Sequence, residues 1–334
     1  MGYDIIQAKV AAKRRPTTVV QPLASGRAGR FALPTTENEE VIPIMHEYAV
    51  MTDATADLPA SLCEELNIHV IPMSFSFSET ESYLHYPDCR QYAMADFYQR
   101  LRAGDSANTS QITVVQAYEA FQPLLAEGLD IFYLCFSSGL SGSCNSARLA
   151  AEQLKEEYPE RQIIVLDSRA ASMGEGLLAW YAAINRQQGL TLAENTADIE
   201  EKVQHLAHWF TVDDLYHLKR GGRCTALAAF MGTVLNIKPL LHVDDAGRLI
   251  PMEKVRSHKK TLDRMVEIAA ESGVNLAEQT IFIGHGDAAE SAERLAEKMR
   301  TLGVRDIVIN YIGPVIGAHS GAGTVALFFL AKQK

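Results

Sequence analysis

The chain has 334 residues, of which 47% are hydrophobic and 22% charged, the balance of a globular protein with a sizeable core rather than of a disordered chain. Its net charge of −10 at pH 7 argues against a general nucleic-acid binder, which would present clustered lysines and arginines. Five cysteines with no Cys-x-x-Cys pair predict neither a disulfide framework nor a zinc site, and they favour a reducing, cytoplasmic location.

The first 46 residues differ from the rest of the chain in composition. Four prolines (Pro16, Pro22, Pro34 and Pro43) interrupt this segment, which is first basic and then acidic. We therefore predict a poorly packed N-terminal extension over residues 1–46. No apolar run approaches the roughly 18 residues needed to cross a bilayer, so the sequence predicts neither a membrane span nor a signal peptide.

Strand patterns alternate with helix patterns between residues 47 and 210. Short apolar runs predict strands, and apolar residues spaced three and four apart predict helices. This alternation is typical of a parallel sheet covered by helices on both faces, here a Rossmann-like α/β domain over residues 47–210. The predicted strands are 48–51, 68–77, 131–136 and 163–166, and the predicted helices are 60–66, 114–125, 147–158 and 177–184.

The C-terminal part has a different pattern. Apolar runs at 240–243 and 249–255 flank Asp245-Ala246-Gly247, which is the signal of an antiparallel hairpin. Further helix patterns and apolar runs follow, and they predict a mixed α+β domain over residues 211–334. We place the boundary between residues 205 and 215 and expect a ligand in the crevice between the two domains.

The serine-rich loop Ser137–Ser143 joins the predicted strand 131–136 to the predicted helix after it. The free N–H groups and the dipole at the start of a helix favour a negative charge, and serine hydroxyls add further donors. The loop therefore predicts an anion-binding pocket.

Hydroxyl-rich segments also follow two other predicted strands, at Thr52–Asp57 and Asp167–Arg169, and one lies ahead of the predicted helix 114–125, at Thr109–Gln111. Because open α/β sheets bind ligands beyond the carboxyl ends of their strands, we expect these segments to converge on one crevice. Helix capping is the alternative explanation for each segment alone.

A serine hydrolase is the competing interpretation of the serine-rich loop, with Ser141 as nucleophile, His319 as base and Asp167 as orienting carboxylate. The loop, however, lacks the last glycine of the G-x-S-x-G nucleophile elbow. The chain also has no phosphate-binding G-x-x-x-x-G-K-[ST] loop and no complete dinucleotide fingerprint, so no cofactor is predicted.

His205 and His208 lie three residues apart on a predicted helix, a spacing that could hold a metal ion. No third ligand is nearby, so we interpret them as two surface histidines and predict no metal site.

The segment Leu218–Arg223 is a short helix pattern that ends in two glycines. Lys219 and Arg220 fit the negative end of a helix dipole. Arg223 lies beyond the glycines and is the better candidate for pairing with a ligand carboxylate or phosphate.

Taken in chain order, six segments resemble the DegV family. The resemblance extends from about residue 48 to the end of the chain, and its specificity comes from the order of the segments. They are Thr52–Pro59, Thr109–Gln111, Ser137–Ser143, Leu218–Arg223, Lys238–Leu241 and Gly313–Gly321.

The resemblance implies a fatty-acid-binding carrier subunit of bacterial fatty acid kinase, which is not an enzyme by itself. It would hold a long-chain fatty acid such as palmitate, stearate or oleate without inserting stably into a membrane, while a separate ATP-binding kinase phosphorylates the carboxylate. Arg256 would lie on the surface that meets the kinase. The residues that correspond to the family's carboxylate site are Thr109, Ser110, Ser141, Gly142, Arg223 and His319.

Two other functions stay open at this point. One is an acyl hydrolase that uses Ser141 and His319, and the other is a lipid-binding sensor or regulator that works without a kinase.

Overall fold

The structure, a computed structural model, describes residues 47–224 and 237–334; the predicted extension over residues 1–46 lies outside them. The strands are β1 (Tyr48–Asp53), β2 (Ile68–Ile71), β3 (Met73–Ser78), β4 (Glu81–His85), β5 (Asn108–Thr109), β6 (Asp130–Cys135), β7 (Ile163–Asp167), β8 (Leu206–Thr211), β9 (Ile237–Val243), β10 (Leu249–Arg256), β11 (Thr280–His285), β12 (Asp306–Tyr311) and β13 (Val325–Leu330). The α-helices are α1 (Ala60–Glu65), α2 (Met94–Arg102), α3 (Val114–Ala126), α4 (Ser143–Glu157), α5 (Met173–Gln187), α6 (Leu192–His205), α7 (Leu215–Gly221), α8 (His258–Ser272), α9 (Ala289–Thr301) and α10 (Pro314–Ser320).

Four parallel strands form the N-terminal sheet, in the order β2-β1-β6-β7. Successive side chains of a strand point to opposite faces of its sheet, and here both faces are buried. Val50 and Phe132 pack with α1, α5 and α6, whereas Met51 and Tyr133 pack with α3 and α4. The predicted parallel sheet with two covered faces is confirmed.

The C-terminal sheet has six strands in the order β10-β9-β8-β13-β11-β12, and only β11 and β12 run parallel to each other. One face packs on α8 and α9 around Met265 and Leu295. The other face contributes Phe210 and Phe328 to the core that also contains Leu177 of α5. Helix α5 therefore lies between the two sheets, and the predicted mixed α+β arrangement is confirmed.

Pro72 divides the predicted strand 68–77 into two. A proline has no N–H to donate to a sheet, so the parallel pairing of β2 ends at Ile71. The chain then enters a separate antiparallel sheet of order β4-β3-β5. The prediction of one continuous strand was wrong for this reason.

The three-stranded sheet and α2 build a small aromatic core. The Phe75 and Phe97 rings meet edge to face, with centroids 5.5 Å apart, and Tyr98 is fully buried beside them. The Tyr98 hydroxyl donates to the Ile312 carbonyl oxygen over 2.6 Å. This bond ties the N-terminal layer to the segment that precedes α10.

Strand β8 begins at Leu206 and pairs with β9 and β13, so the C-terminal sheet includes residues before position 211. His208 consequently lies in a strand rather than in the predicted helix, and it is buried. The interpretation of His208 as a surface histidine was wrong, because α6 ends at His205. Within the described ranges, no helix is long and apolar enough to span a bilayer.

Candidate functional site

A cavity of about 680 Å³ is lined by residues of the six-stranded C-terminal sheet, of the three-stranded sheet, and of the helices and loops next to them. Its size is that of a small-molecule site. Arg256 does not line it and is exposed at the end of β10. The predicted site residues that do line the cavity are Thr109, Ser110, Ser141, Gly142, Arg223 and His319.

Polar residues, among them Thr109, Ser141 and His319, gather at one end of the cavity, which we call the polar end. Thr109 and His319 meet there although they are far apart in sequence. The Thr109 Oγ1 and His319 Nε2 atoms are 2.8 Å apart and hydrogen bonded. Burial, with the nearby cations Arg223 and Arg220, lowers the pKa of His319 to about 4. The imidazole is therefore neutral at pH 7 and brings a hydrogen-bonding group to the site without a net charge.

The Ser141 hydroxyl is oriented by a chain of hydrogen bonds. The Ile112 N–H donates to Ser143 Oγ over 3.0 Å, and Ser143 Oγ lies 2.9 Å from Ser141 Oγ. The Ser143 N–H also donates to Ser141 Oγ, over 3.2 Å. When the Ser143 hydroxyl donates to Ser141, the proton of Ser141 is left to point at a ligand in the cavity.

Gly142 is the N-cap of α4, so unused N–H groups of the first helical turn lie beside Ser141. A Cβ atom at position 142 would lie 2.3 Å from the Gln111 side-chain oxygen. The glycine thus allows the loops that carry Thr109 and Ser141 to approach each other. Helix dipole and hydroxyls together make this end suitable for an anion.

Arg223 brings a positive charge to the polar end of the cavity. Its side chain is exposed and lines the cavity, and its Nη1 donates to the Gly221 carbonyl oxygen. Helix α7 ends at Gly221, and Gly222 takes the left-handed conformation with φ of 67°. The turn predicted from the two glycines is confirmed, and it carries Arg223 past the helix end to the cavity.

The hydrolase triad is not assembled among the described residues. The hydrogen bond of His319 Nε2 is to Thr109, and that of Ser141 Oγ is to Ser143. The Asp167 carboxylate accepts from the Ser138 N–H, the Ser138 hydroxyl and the Arg169 N–H. Ser141 therefore has no histidine to accept its proton, and His319 has no bonded carboxylate to orient it.

The segments Thr52–Asp57 and Asp167–Arg169 do not line the cavity, contrary to the predicted convergence of all hydroxyl-rich segments. The polar groups of Thr52–Asp57 are used internally. Thr52 Oγ1 donates to Glu175 Oε1 over 2.8 Å, and Thr55 Oγ1 lies within hydrogen-bonding distance of both Asp53 and Glu175. All four side chains are fully buried. They form an acid cluster beneath the site.

We assign the proton of this cluster to Glu175. Burial raises the pKa of Asp53, but Asp53 accepts from the Thr55 N–H, the Tyr133 hydroxyl and the Phe136 N–H, and these bonds favour its ionised form. Burial, and then the charge of Asp53, raise the pKa of Glu175 well above its usual value. The Thr55 hydroxyl has one proton but lies within hydrogen-bonding distance of two carboxyl groups. It can bond to both if it donates to Asp53 and accepts the proton of Glu175.

Asp57, in the segment that follows β1, bonds to both α10 and the residue before α5. Its carboxylate accepts from the Ser172 hydroxyl over 2.6 Å and from the Gly313 N–H over 2.8 Å. Burial raises its pKa to about 8. Gly313 is the N-cap of α10, which carries His319, so Asp57 holds the helix that supplies one side of the site.

The remaining lining is mostly apolar and comes from the face of the C-terminal sheet that points to α5. The sequence patterns did not identify these apolar residues as part of a site, because an apolar residue in a strand predicts only a place in the hydrophobic core. They include Phe210, Val243, Leu249, Ala326 and Phe328, together with Met73, Phe136 and Val315 from other elements.

Two buried cysteines flank the serine-rich loop. The Cys135 and Cys144 sulfurs and an Asp167 oxygen lie within 4.8 Å of one another. Burial raises the pKa of Cys135, and the Asp167 carboxylate is already bonded to Ser138 and Arg169. All five cysteines are free thiols.

Comparison with known proteins places these features in a family. The family model described as "uncharacterised protein, DegV family" matches residues 47–332. A DegV domain-containing protein of Clostridium perfringens, CPE0026, is 44% identical over 291 residues, which are 87% of this chain and 99% of that protein. The DegV-domain protein YteA of Lactococcus lactis is 33% identical over 289 residues, covering 86% of this chain and 98% of the relative.

Solved structures show the same architecture. A fatty-acid-binding DegV family protein of Thermus thermophilus superposes with a TM-score of 0.76 at 28% identity, covering 85% of this chain and 99% of that one. DegV of Bacillus subtilis, described as a fatty acid binding protein, superposes with a TM-score of 0.74 at 27% identity, covering 86% and 100%. The chain belongs to the DegV family.

Proposed function

We propose that this protein binds a long-chain fatty acid in the cavity and presents its carboxylate to a separate ATP-dependent fatty acid kinase. The observation that carries the proposal is the division of the cavity: hydroxyls, Arg223 and the start of α4 gather at one end, and the rest of the lining is mostly apolar. An amphiphile with one anionic end and a long apolar body matches this division. The fatty acids bound by the similar proteins of Thermus thermophilus and Bacillus subtilis support it.

The energetics agree with such a ligand. Burial of an acyl chain gains about 0.8 kcal/mol per methylene, so a chain of about 16 carbons gains at most about 11 kcal/mol before the cost of immobilisation. The carboxylate loses its hydration, and charge-assisted hydrogen bonds of about 1.5–3 kcal/mol each offset that loss. The tail thus supplies most of the affinity, and the polar end determines where the carboxylate lies.

Hydroxyl donors suit a carboxylate that must react. They hold the anion without surrounding it with fixed positive charge, so a carboxylate oxygen keeps its ability to attack a phosphoryl group. In this proposal the chain supplies binding and position, and the partner kinase supplies ATP and the chemistry.

The direct test is to denature the purified protein, extract it with organic solvent and analyse the extract by mass spectrometry, followed by titration of the stripped protein with stearate. We expect a stoichiometric long-chain fatty acid or saturable binding of the added one. Absence of both would contradict the proposal. A serine-reactive fluorophosphonate that labels Ser141 would instead favour the acyl hydrolase.

Removing the hydroxyl of Ser141 or Thr109 is expected to weaken stearate binding. Each hydroxyl contributes one charge-assisted bond, so Ser141→Ala or Thr109→Ala should raise the Kd by about 10- to 150-fold. The measurement is a fluorescent fatty-acid displacement titration. Ser138→Ala is the matched control, because Ser138 lies in the same loop, is exposed and does not line the cavity. Unchanged affinity in both site variants would remove the carboxylate assignment.

Arg256 is the proposed contact with the kinase. Arg256→Ala is expected to leave stearate binding unchanged and to reduce acyl-phosphate formation with the kinase by about 10-fold or more, as expected when an interface arginine is truncated. The assay measures ADP release with wild-type protein and variant side by side. Arg300→Ala, an exposed arginine on α9, should behave as wild type. Full activity of the Arg256 variant would refute the docking role, and binding without any kinase-dependent product would favour a lipid sensor.

A further inference from the structure

The polar side chains at the polar end of the cavity differ in their exposure to solvent. Thr109, Ser141 and His319, which we call the inner set, are half-buried. Gln111 and Arg223, the outer set, line the same cavity but are exposed. An anion bound at this end can therefore meet two sets of donors, of which the outer set lies on the solvent side.

The backbone on both sides of Gln111 is held by hydrogen bonds. The Ser110 N–H donates to the Ser74 carbonyl oxygen over 3.2 Å, and the Ile112 N–H donates into the serine-rich loop over 3.0 Å. The Gln111 carboxamide lies against Gly142, where any Cβ atom would clash with it. The side chain of Gln111 is thus placed beside the start of α4.

The carboxamide of Gln111 makes no hydrogen bond with any described residue. The inner set, by contrast, is already bonded, Thr109 to His319 and Ser141 to Ser143. An exposed carboxamide is hydrated, and it can exchange this water for a ligand. It offers two N–H donors and one acceptor oxygen, so it can bind an anion without adding a positive charge.

The proposed reaction adds a second anionic group to the bound ligand. One carboxylate oxygen attacks the γ-phosphorus of ATP on the kinase, a new P–O bond forms, and the bond to ADP breaks with its electron pair leaving on ADP. The acyl phosphate keeps its acyl carbonyl at the inner set and gains three phosphoryl oxygens, with about 1.5 to 2 negative charges at pH 7. Because the kinase reaches the ligand from the solvent side, these oxygens come to lie at the outer set.

We propose that Gln111 binds the phosphoryl group of this acyl phosphate, by donating its side-chain N–H groups to phosphoryl oxygens beside Arg223. The inference rests on the proposed function and adds to it a residue that holds the product. The guanidinium of Arg223 supplies charge to the phosphoryl oxygens, and the carboxamide adds directed donors. A free carboxylate is held by the inner set and leaves the carboxamide to water. Gln111 therefore distinguishes the product from the fatty acid.

The test compares stearic acid with 2-oxononadecylphosphonate, a stable analogue of stearoyl phosphate in which a methylene replaces the bridging oxygen. Both compete with a fluorescent fatty acid for wild type and for Gln111→Ala. We expect Gln111→Ala to raise the Kd of the phosphonate by about 10-fold, equal to about 1.4 kcal/mol, and to keep the Kd of stearic acid within about twofold. Gln187→Ala is the matched control, because Gln187 is exposed at the end of α5 and does not line the cavity.

The inference would be overturned by an unchanged Kd of the phosphonate in Gln111→Ala, or by equal weakening of both ligands. A second measurement needs no variant: the side-chain amide ¹⁵N–¹H resonances of Gln111 should shift more on addition of the phosphonate than on addition of stearic acid, and equal shifts would contradict the inference. Failure of the proposed function is distinguishable, because wild type then binds neither ligand. Wild type that binds stearic acid but not the phosphonate refutes the role of Gln111 alone.

Discussion

Replacing Glu175 with alanine is expected to lower the free energy of unfolding by about 3–5 kcal/mol, as for a buried group whose removal breaks a hydrogen-bonded network and leaves a cavity. The Thr52 hydroxyl would lose its acceptor, and the contact of Thr55 with Glu175 would disappear. Urea unfolding followed by far-UV circular dichroism measures the change.

The control for this prediction is Glu175→Gln, which tests the protonation of the acid cluster. A glutamine has the shape of a protonated glutamate, accepts from Thr52 through its oxygen and donates toward Thr55 through its amide. We expect it to cost less than about 1 kcal/mol. If glutamine were as damaging as alanine, Glu175 would be ionised and the assignment of the proton would be wrong.

The contribution of Asp57 to stability is expected to fall as the pH rises from about 4 to about 8, whereas buried histidines such as His85 and His319, whose pKa is lowered to about 4, act in the opposite direction below about pH 6.5. The pKa of Asp57 is raised from 3.8 to about 8 in the folded protein. The native state therefore binds a proton in this interval that the unfolded state has lost. Its stabilising contribution is full below pH 3.8 and is lost as the pH rises through the folded pKa, with a slope of up to about 1.4 kcal/mol per pH unit.

The variant Asp57→Asn isolates this contribution, because asparagine does not titrate and tolerates the left-handed backbone at this position, where φ is 51°. The free energy of unfolding of wild type minus that of the variant should fall as the pH rises from about 4 to about 8. The other buried titratable groups act alike in both proteins, so the difference between the two curves reports Asp57. Asp306→Asn, at an exposed position, should follow wild type. Parallel curves for wild type and Asp57→Asn would contradict the raised pKa.

The sequence predicted those parts of the fold whose signal is local. Apolar runs gave three of the parallel strands, and the Asp245-Ala246-Gly247 turn identified the β9–β10 hairpin. Strand β2 was misjudged because periodicity alone did not show that Pro72 moves the chain from one sheet to another. Helix α2 was overlooked, although Met94, Phe97, Tyr98 and Leu101 have helical spacing and are buried.

Site residues could be predicted where the residue type itself indicates a chemical role. They could not be predicted where burial and long-range contacts determine what a side chain bonds to. Serine, threonine and glycine at strand ends pointed to Ser141 and Thr109, which do line one cavity. The same residue types at Thr52–Asp57 pointed there too, but Glu175, 120 positions from Thr55 in sequence, binds them internally. His208 had no local signal, since three-residue spacing suggested a helix face and only strand pairing reveals what its ring contacts.

The hydrogen bonds that enclose the cavity join residues very far apart along the chain. Ser137 donates to the Gly247 carbonyl oxygen across 110 positions, Thr109 meets His319 across 210, and Gly313 donates to Asp57 across 256. Contacts of such separation form late, since loop closure must precede them. During synthesis the N-terminal sheet exists before most of the apolar wall has been made. The cavity is therefore complete only in the finished protein, and a ligand that binds in it would stabilise the completed fold without assisting its early steps.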